Sequence, residues 1–190
     1  MSTVVLDVSM SLDGFTAGAD ISEHAPLGVG GEQLHAWIFD DAPERKVDHD
    51  VIAASNAAVG AAVVGRRTFD LGLHFWGGTP WPGTPTFVVT HEQRADLVGD
   101  NGGAFAFDGV QGAVRRAKEA AGTKDVMVLG AHTAGSLVAA GLLDEVRIHL
   151  VPVLLGAGTP LFAGQIAALV RVGEPFAGTV THLRYRVLKP

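Results

Sequence analysis

The strongest constraint on this chain is a recurring unit. A short, β-branched apolar run stops at a glycine or polar residue, and a helical pattern or a turn follows. Such runs lie at 4–8, 61–64, 86–90, 104–107 and 126–129, and each reads as a strand. Gly65 ends the second run and Gly130 the fifth. Helical stretches lie at 32–39, 49–58, 110–121 and 133–140, and a further helix or turn starts at Arg66. The stretch 110–121 carries the plainest pattern. Val110, Ala113, Val114, Ala117, Ala120 and Ala121 form one apolar stripe, and Gln111, Arg115, Lys118 and Glu119 fall elsewhere. Asp108 is the expected N-cap and Gly122 the expected C-terminal stop. Two longer strands, 146–155 and 179–188, close the chain, and Pro152 predicts a bulge or an edge in the first of them. In the last strand Leu183, Tyr185 and Val187 share one face and His182, Arg184 and Arg186 the other. Alternating strands and helices followed by paired strands predict an α/β fold: a mostly parallel sheet flanked by helices, with antiparallel C-terminal strands. With no internal repeat and no linker, residues 1–190 read as a single domain.

Charge and cysteine content narrow the function. With 14 Lys+Arg against 20 Asp+Glu the formal charge is −6, so no global positive field argues for nucleic acid or an anionic membrane. An anion site must be local. The absence of cysteine excludes disulfides, thiol nucleophiles and cysteine-ligated zinc. The N-terminus has no basic region before its apolar run, and no apolar stretch is long enough to span a bilayer, which predicts a soluble, cytoplasmic protein. The eight histidines, at 24, 35, 49, 74, 91, 132, 149 and 182, show no HExxH or HxH spacing, so no metal site is expected.

In a parallel α/β sheet, ligands gather at the carboxyl ends of the strands. Three such ends stand out. Gly65-Arg66-Arg67-Thr68 combines a turn glycine, a helix start, two guanidinium groups and a hydroxyl, a phosphate-binding set or a solvated arginine pair. Thr90-His91 ends the third strand with two potential phosphate donors, or is an ordinary strand-to-turn transition. Gly130-Ala131-His132-Thr133 suits close backbone approach to a pyrophosphate, or simply tight strand–helix packing. Neither a GxGxxG nor a GxxxxGK[ST] motif occurs. The segment 9–31, rich in glycine, reads as a long functional loop that begins at a strand end.

These pieces occur in a recognisable order. Ser11-Leu12-Asp13-Gly14-Phe15-Thr16-Ala17-Gly18, Gly65-Arg66-Arg67-Thr68-Phe69, Thr86-Phe87-Val88-Val89-Thr90 and Val126-Met127-Val128-Leu129-Gly130-Ala131 follow one another. Gly141-Leu142-Leu143-Asp144-Glu145-Val146-Arg147-Ile148, Pro152-Val153-Leu154-Leu155-Gly156 and Leu161-Phe162 complete the series. The chain resembles the dihydrofolate reductase-like superfamily, and within it the stand-alone relatives of the reductase domain of the riboflavin-biosynthesis deaminase-reductase. The resemblance implies a dihydrofolate reductase-like fold with a twisted mixed sheet, and NADPH as hydride donor. It implies that Arg66, Arg67, Thr90 and His91 hold the adenosine 2′-phosphate. Gly65, Thr68 and the backbone of Leu129, Gly130, Ala131, His132 and Thr133 would hold the pyrophosphate. Thr16, Ala17 and Gly18 would cover the nicotinamide ribose. Three positions depart from the family pattern. Gly130-Ala131 replaces the Gly-Gly turn, with its cis peptide, of dihydrofolate reductases. Asp7 stands where the riboflavin reductases carry Lys, and Leu129 where they often carry Glu.

The expected activity is hydride transfer to a C=O or C=N group of a small-molecule substrate, resembling 5-amino-6-(5-phosphoribosylamino)uracil reductase and dihydrofolate reductase. The alternative is a non-catalytic NADP(H)-binding or regulatory protein on the same fold. Asp13 is the candidate for proton delivery or substrate anchoring, with capping of its own turn as the competing role. Trp37 is the candidate substrate wall, with core packing as its alternative. A homodimer through the long C-terminal strands is the expected assembly.

Overall fold

The computed structural model describes residues 2–40, 42–99 and 102–189; the His74 side chain lies outside the described set. The chain opens with β1 (Val4–Ser11) and β2 (Phe15–Gly18), followed by a 3-10 turn (Gly31–Leu34), α1 (Ala36–Phe39) and α2 (Lys46–Ala58). Next come β3 (Val59–Gly65), α3 (Arg66–Trp76), β4 (Thr86–Val89), β5 (Leu97–Val98) and β6 (Ala104–Asp108). Then follow α4 (Val110–Ala121), β7 (Asp125–Leu129), α5 (Ala131–Ala139), β8 (Glu145–Val151) and β9 (Gly158–Pro160). The last strands are β10 (Leu169–Arg171), β11 (Phe176–Ala177) and β12 (Thr181–Val187).

Ten strands make one sheet in the order β10-β12-β8-β1-β7-β3-β4-β6-β5, with β11 also on β12. From β8 to β6 every neighbouring pair is parallel, and β12 runs antiparallel to β8. The expected sheet is therefore present, mostly parallel with antiparallel C-terminal strands. The main core lies between one face of the sheet and helices α4 and α5. Val4, Leu6, Val63, Val126 and Val128 meet Ala113, Val114, Ala117 and Leu137 there. A second cluster of Val64, Phe69, Val88, Phe105 and Phe107 sits under α3. Leu183, Tyr185 and Val187 join the main core, so the two-faced reading of β12 holds.

Several local expectations change. The segment 9–31 is not one loop. β1 continues to Ser11 because β8 pairs with it in parallel from Val5↔Glu145 to Ser11↔Val151. β2 then pairs antiparallel with β9, a partner more than a hundred residues away in the sequence. The helix at 32–39 breaks into the 3-10 turn and α1. β8 stops at Val151, so Pro152 ends the strand rather than bulging it; proline has no N–H for the ladder. The N-cap of α4 is Gly109, not Asp108, whose carboxylate instead accepts the Gly109 N–H at 2.8 Å. No helix among the described residues is long and apolar enough to cross a membrane.

Candidate functional site

β3 and β7 are parallel neighbours, with Val64 opposite Leu129, so the helices that follow them start side by side. Both starts are glycines, Gly65 and Gly130, and neither helix has a side-chain cap. The first-turn N–H groups of Arg66, Arg67 and Thr68, and of Ala131, His132 and Thr133, are thus left for another acceptor. The two glycines are needed for space. A Cβ at Gly65 would collide with Thr133 Oγ1, and one at Gly130 would lie 2.7 Å from Thr68 Oγ1. Gly130 also has φ +95°. The result is a cradle of free N–H groups and two hydroxyls, aligned with two helix dipoles, which is the chemistry of a phosphate site. No peptide among the described residues is cis, so the Gly130-Ala131 link is trans.

The arginines beside the cradle differ in state. Arg66 Nε reaches both oxygens of Asp70 at 2.9 Å, and its Nη1 pairs with Glu92. Hydrogen bonding to Asp70 and then to Glu92 raises the Arg66 pKa above its already high value. Arg67 is exposed and has no carboxylate partner among the described residues. Thr90 Oγ1 accepts the Glu92 N–H at 3.1 Å, and His91 is exposed in the same turn. Sequence reasoning missed Glu92, and it missed Arg94, whose guanidinium lies 4.8 Å above the Phe107 ring and 5.6 Å above Phe69. Only the i,i+4 spacing of Arg66 and Asp70 gave a local signal.

The first loop is held from the far side of the chain. The Thr16 hydroxyl donates to the Thr159 carbonyl at 3.2 Å, Ala17 pairs with Thr159, and the Gly18 N–H donates to the Leu27 carbonyl at 2.8 Å. Asp13 is committed to structure. It accepts the Ser11 hydroxyl at 2.6 Å, the Gly156 N–H at 2.7 Å and the Leu155 N–H at 3.1 Å. The Ser11 hydroxyl foremost, with these N–H groups, holds its carboxyl below the usual carboxylate range. An ionised Asp13 with three donors on it ties the β1–β2 turn to the loop after β8, and its geometry does not present a proton. Trp37 is only 1% exposed, and its indole N–H donates to Ser9 Oγ at 3.0 Å. The ring packs 4.8 Å from His149 and 5.7 Å from His182, inside the protein rather than on a cavity wall.

Those histidines belong to a polar layer that the sequence did not reveal. On the face of the sheet under α2, Asp7, Glu145, Arg147, His149, His182 and Arg184 come together from β1, β8 and β12. Arg147 bridges Glu145 at 2.7 Å and Asp125 at 3.1 Å, and Arg184 binds both oxygens of Glu145 at 2.7 Å. Among the described residues no group of three or more His, Asp or Glu side chains is placed to hold a metal ion.

The family model of the RibD C-terminal domain matches residues 2–173. The chain belongs to this family. No curated protein matches it. Among solved structures, it is similar to a protein named for riboflavin biosynthesis from Shewanella sp. PV-4 (TM-score 0.72, 23% identity, all of both chains covered). It is also similar to the riboflavin biosynthesis reductase of Saccharomyces cerevisiae (TM-score 0.58, 15% identity, 99% of this chain and 89% of that one). A third match is the deaminase/5-amino-6-(5-phosphoribosylamino)uracil reductase of Thermotoga maritima (TM-score 0.64, 15% identity). There the match covers 98% of this chain and 57% of the longer one. RibD C-terminal domains have the dihydrofolate reductase-like fold, and membership supports a reductase role for this chain.

Proposed function

We propose that this RibD C-terminal domain protein is an NADPH-dependent reductase that transfers a hydride to a C=O or C=N carbon of a small substrate. The observation that carries the reading is the pair of uncapped helix starts at Gly65 and Gly130, with the Thr68 and Thr133 hydroxyls against them. That cradle fits a pyrophosphate. Arg66, Arg67, Thr90 and His91 stand beside it and would hold the 2′-phosphate; Arg66 would exchange Glu92 for the phosphate oxygens. When bound, the cofactor supplies the hydride. The chain's own residues fix its position: first-turn N–H groups and Thr hydroxyls orient the phosphates, and the Thr16-Ala17-Gly18 strand, pinned by β9, covers the ribose and excludes water. A cytoplasmic location and a homodimer belong to the same proposal. β10 ends the sheet with Leu169 and Val170 exposed, and strand pairing with a second copy would cover them.

The test is a binding titration with NADPH and NADH, followed by NADPH oxidation against a panel of carbonyl, imine and pteridine compounds. Tighter binding of NADPH together with oxidation on the panel is the expected result. Tight NADPH binding with no turnover would favour the non-catalytic alternative. Absence of binding to either cofactor removes the proposal.

A further inference from the structure

A chain of four buried side chains runs behind Trp37. Asp7 Oδ1 lies 2.6 Å from His149 Nε2, His149 Nδ1 lies 2.7 Å from His182 Nδ1, and His182 Nε2 lies 2.9 Å from Asp48 Oδ1. All four side chains are less than a tenth exposed. The protons can be counted from their partners. Asp48 also accepts the Thr179 N–H at 2.9 Å and the Thr179 hydroxyl at 2.7 Å; that hydroxyl itself accepts from Arg45. Every neighbour of Asp48 is a donor, so it is a carboxylate and His182 Nε2 carries hydrogen. Asp7 accepts the Ser55 hydroxyl at 2.5 Å and lies 4.0 Å from Arg147, so it too is a carboxylate and His149 Nε2 carries hydrogen. The two Nδ1 atoms then face each other at 2.7 Å. Two lone pairs do not approach so closely, so a third proton lies between them. The His149–Asp7 contact at 2.6 Å is shorter than the His182–Asp48 contact at 2.9 Å, as a charge-assisted hydrogen bond is, which places the extra proton on the His149 side. Burial, which pushes the His182 imidazole below its usual value, acts in the same direction.

Asp7, Ser55, Arg147, His149 and His182 all line a cavity of about 680 Å³ between α2 and the C-terminal strands. Val51, Ala54 and Phe176 give it apolar walls, and Asp50, Glu174 and Arg184 are the other charged groups facing it. Asp7 also stands beside the strand that leads into the cradle. Leu6 pairs with Val128, so Asp7 and Leu129 are the next residues of adjacent strands, on one face, just before the Gly130 turn.

We propose that Asp7 and His149 are the proton-delivering pair of this protein, serving a ligand whose C=N or C=O heteroatom enters the cavity. This use of the proton rests on the reductase reading above. His182 and Asp48 are positioning residues: they fix His149 with its Nδ1 proton turned inward and its Nε2 proton toward Asp7. The step moves one proton and no electrons. The Nε2 proton passes to the Asp7 carboxylate and from it to the ligand heteroatom, whose carbon takes the hydride. His149 is left neutral, with its Nε2 lone pair 2.6 Å from a carboxylate oxygen, and that repulsion favours uptake of a replacement proton.

The experiment is nitrogen-15 NMR on the full-length, histidine-labelled protein without cofactor. Near neutral pH the expected spectrum shows His149 protonated on both ring nitrogens and His182 on Nε2 only. The His149 Nε2 proton exchanges with solvent faster than the bridging Nδ1 proton. Asp7→Asn, which keeps the shape and an acceptor oxygen, removes the second proton from His149 near neutral pH. Ala54→Trp, on an exposed position of α2, fills the cavity and slows the Nε2 exchange. A singly protonated His149 in the parent protein overturns the proton count. Nε2 exchange as slow as that of core amides overturns delivery. Because no cofactor is present, these outcomes are independent of whether the protein oxidises NADPH.

Discussion

Replacing Gly130 by alanine separates two effects that meet at one atom. Gly130 has φ +95° and ψ 128°, a region closed to side chains except under strain. Holding alanine there costs about 1–3 kcal/mol. The new Cβ also meets Thr68 Oγ1 at 2.7 Å. That contact is with the tip of a half-buried side chain, which can swing away at a cost of about 0.5–1.5 kcal/mol. The backbone term is therefore the larger, and Gly130→Ala should lose about 1.5–4.5 kcal/mol in all. For a chain of this size the melting temperature should fall by on the order of 10 °C. In a Thr68→Ala background the clash disappears but the strain stays, so the penalty for Gly130→Ala should shrink by roughly a third and no more. NADPH affinity should fall in both backgrounds, because the methyl group points into the cradle. Thermal unfolding of the four proteins in the cycle, with NADPH titrations, measures all of this. Full recovery of stability by Thr68→Ala would show that the clash governs and the backbone assignment is wrong. Unchanged NADPH affinity would refute the cradle as its phosphate site.

Arg66→Ala should weaken NADPH roughly 10- to 100-fold, the scale of a lost charge-assisted hydrogen bond, and leave NADH nearly unchanged in the same titration. Glu92→Gln should do the reverse and tighten NADPH, because it frees Arg66 Nη1 from its present partner; weaker binding would mean that Glu92 orders the site instead. Stability should fall in acid. Burial opposes the charged forms of Asp7, Asp48 and Glu145, but their hydrogen bonds outweigh it and hold each pKa below its usual value. Their contribution is thus complete above the unfolded pKa values of 3.8 and 4.5 and is lost as pH falls through the lower folded ones. Denaturant melts down the acid range should show this loss, and a flat profile would contradict it. Trp37→Ala should cost about 3–5 kcal/mol, as for other large core residues, read by urea unfolding. Sedimentation should give twice the chain mass, and Val170→Glu, which places a charge on the β10 edge, should halve it.

Much of this architecture is written locally. The runs ending at Gly65 and Gly130 announce strands, the stripe on α4 announces a helix over a sheet, and a parallel sheet places the following helix starts at one end. The gathering of Arg66, Thr68 and Thr133 at one end of the sheet was legible for that reason: each residue sits within a few positions of a strand end, and connectivity alone brings the ends together. What could not be read locally was set by partners far away in the chain. Asp7 and His149 are separated by 142 residues and His182 and Asp48 by 134; the β1–β8–β12 ladder brings Asp7, His149 and His182 onto one face, and α2 lays Asp48 over it. Asp13 looks the same in sequence whether it acts on a ligand or anchors a turn; Leu155 and Gly156 decide it, and they arrive from across the fold. The 9–31 segment has no strong period of its own, and β2 exists because β9 satisfies its backbone. Periodicity reports which face of an element is apolar, so it fixes layers and strand ends. Hydrogen bonds between distant polar groups leave no period, so the polar layer beneath α2 and the pairing of Arg66 with Glu92 belong to the tertiary structure alone.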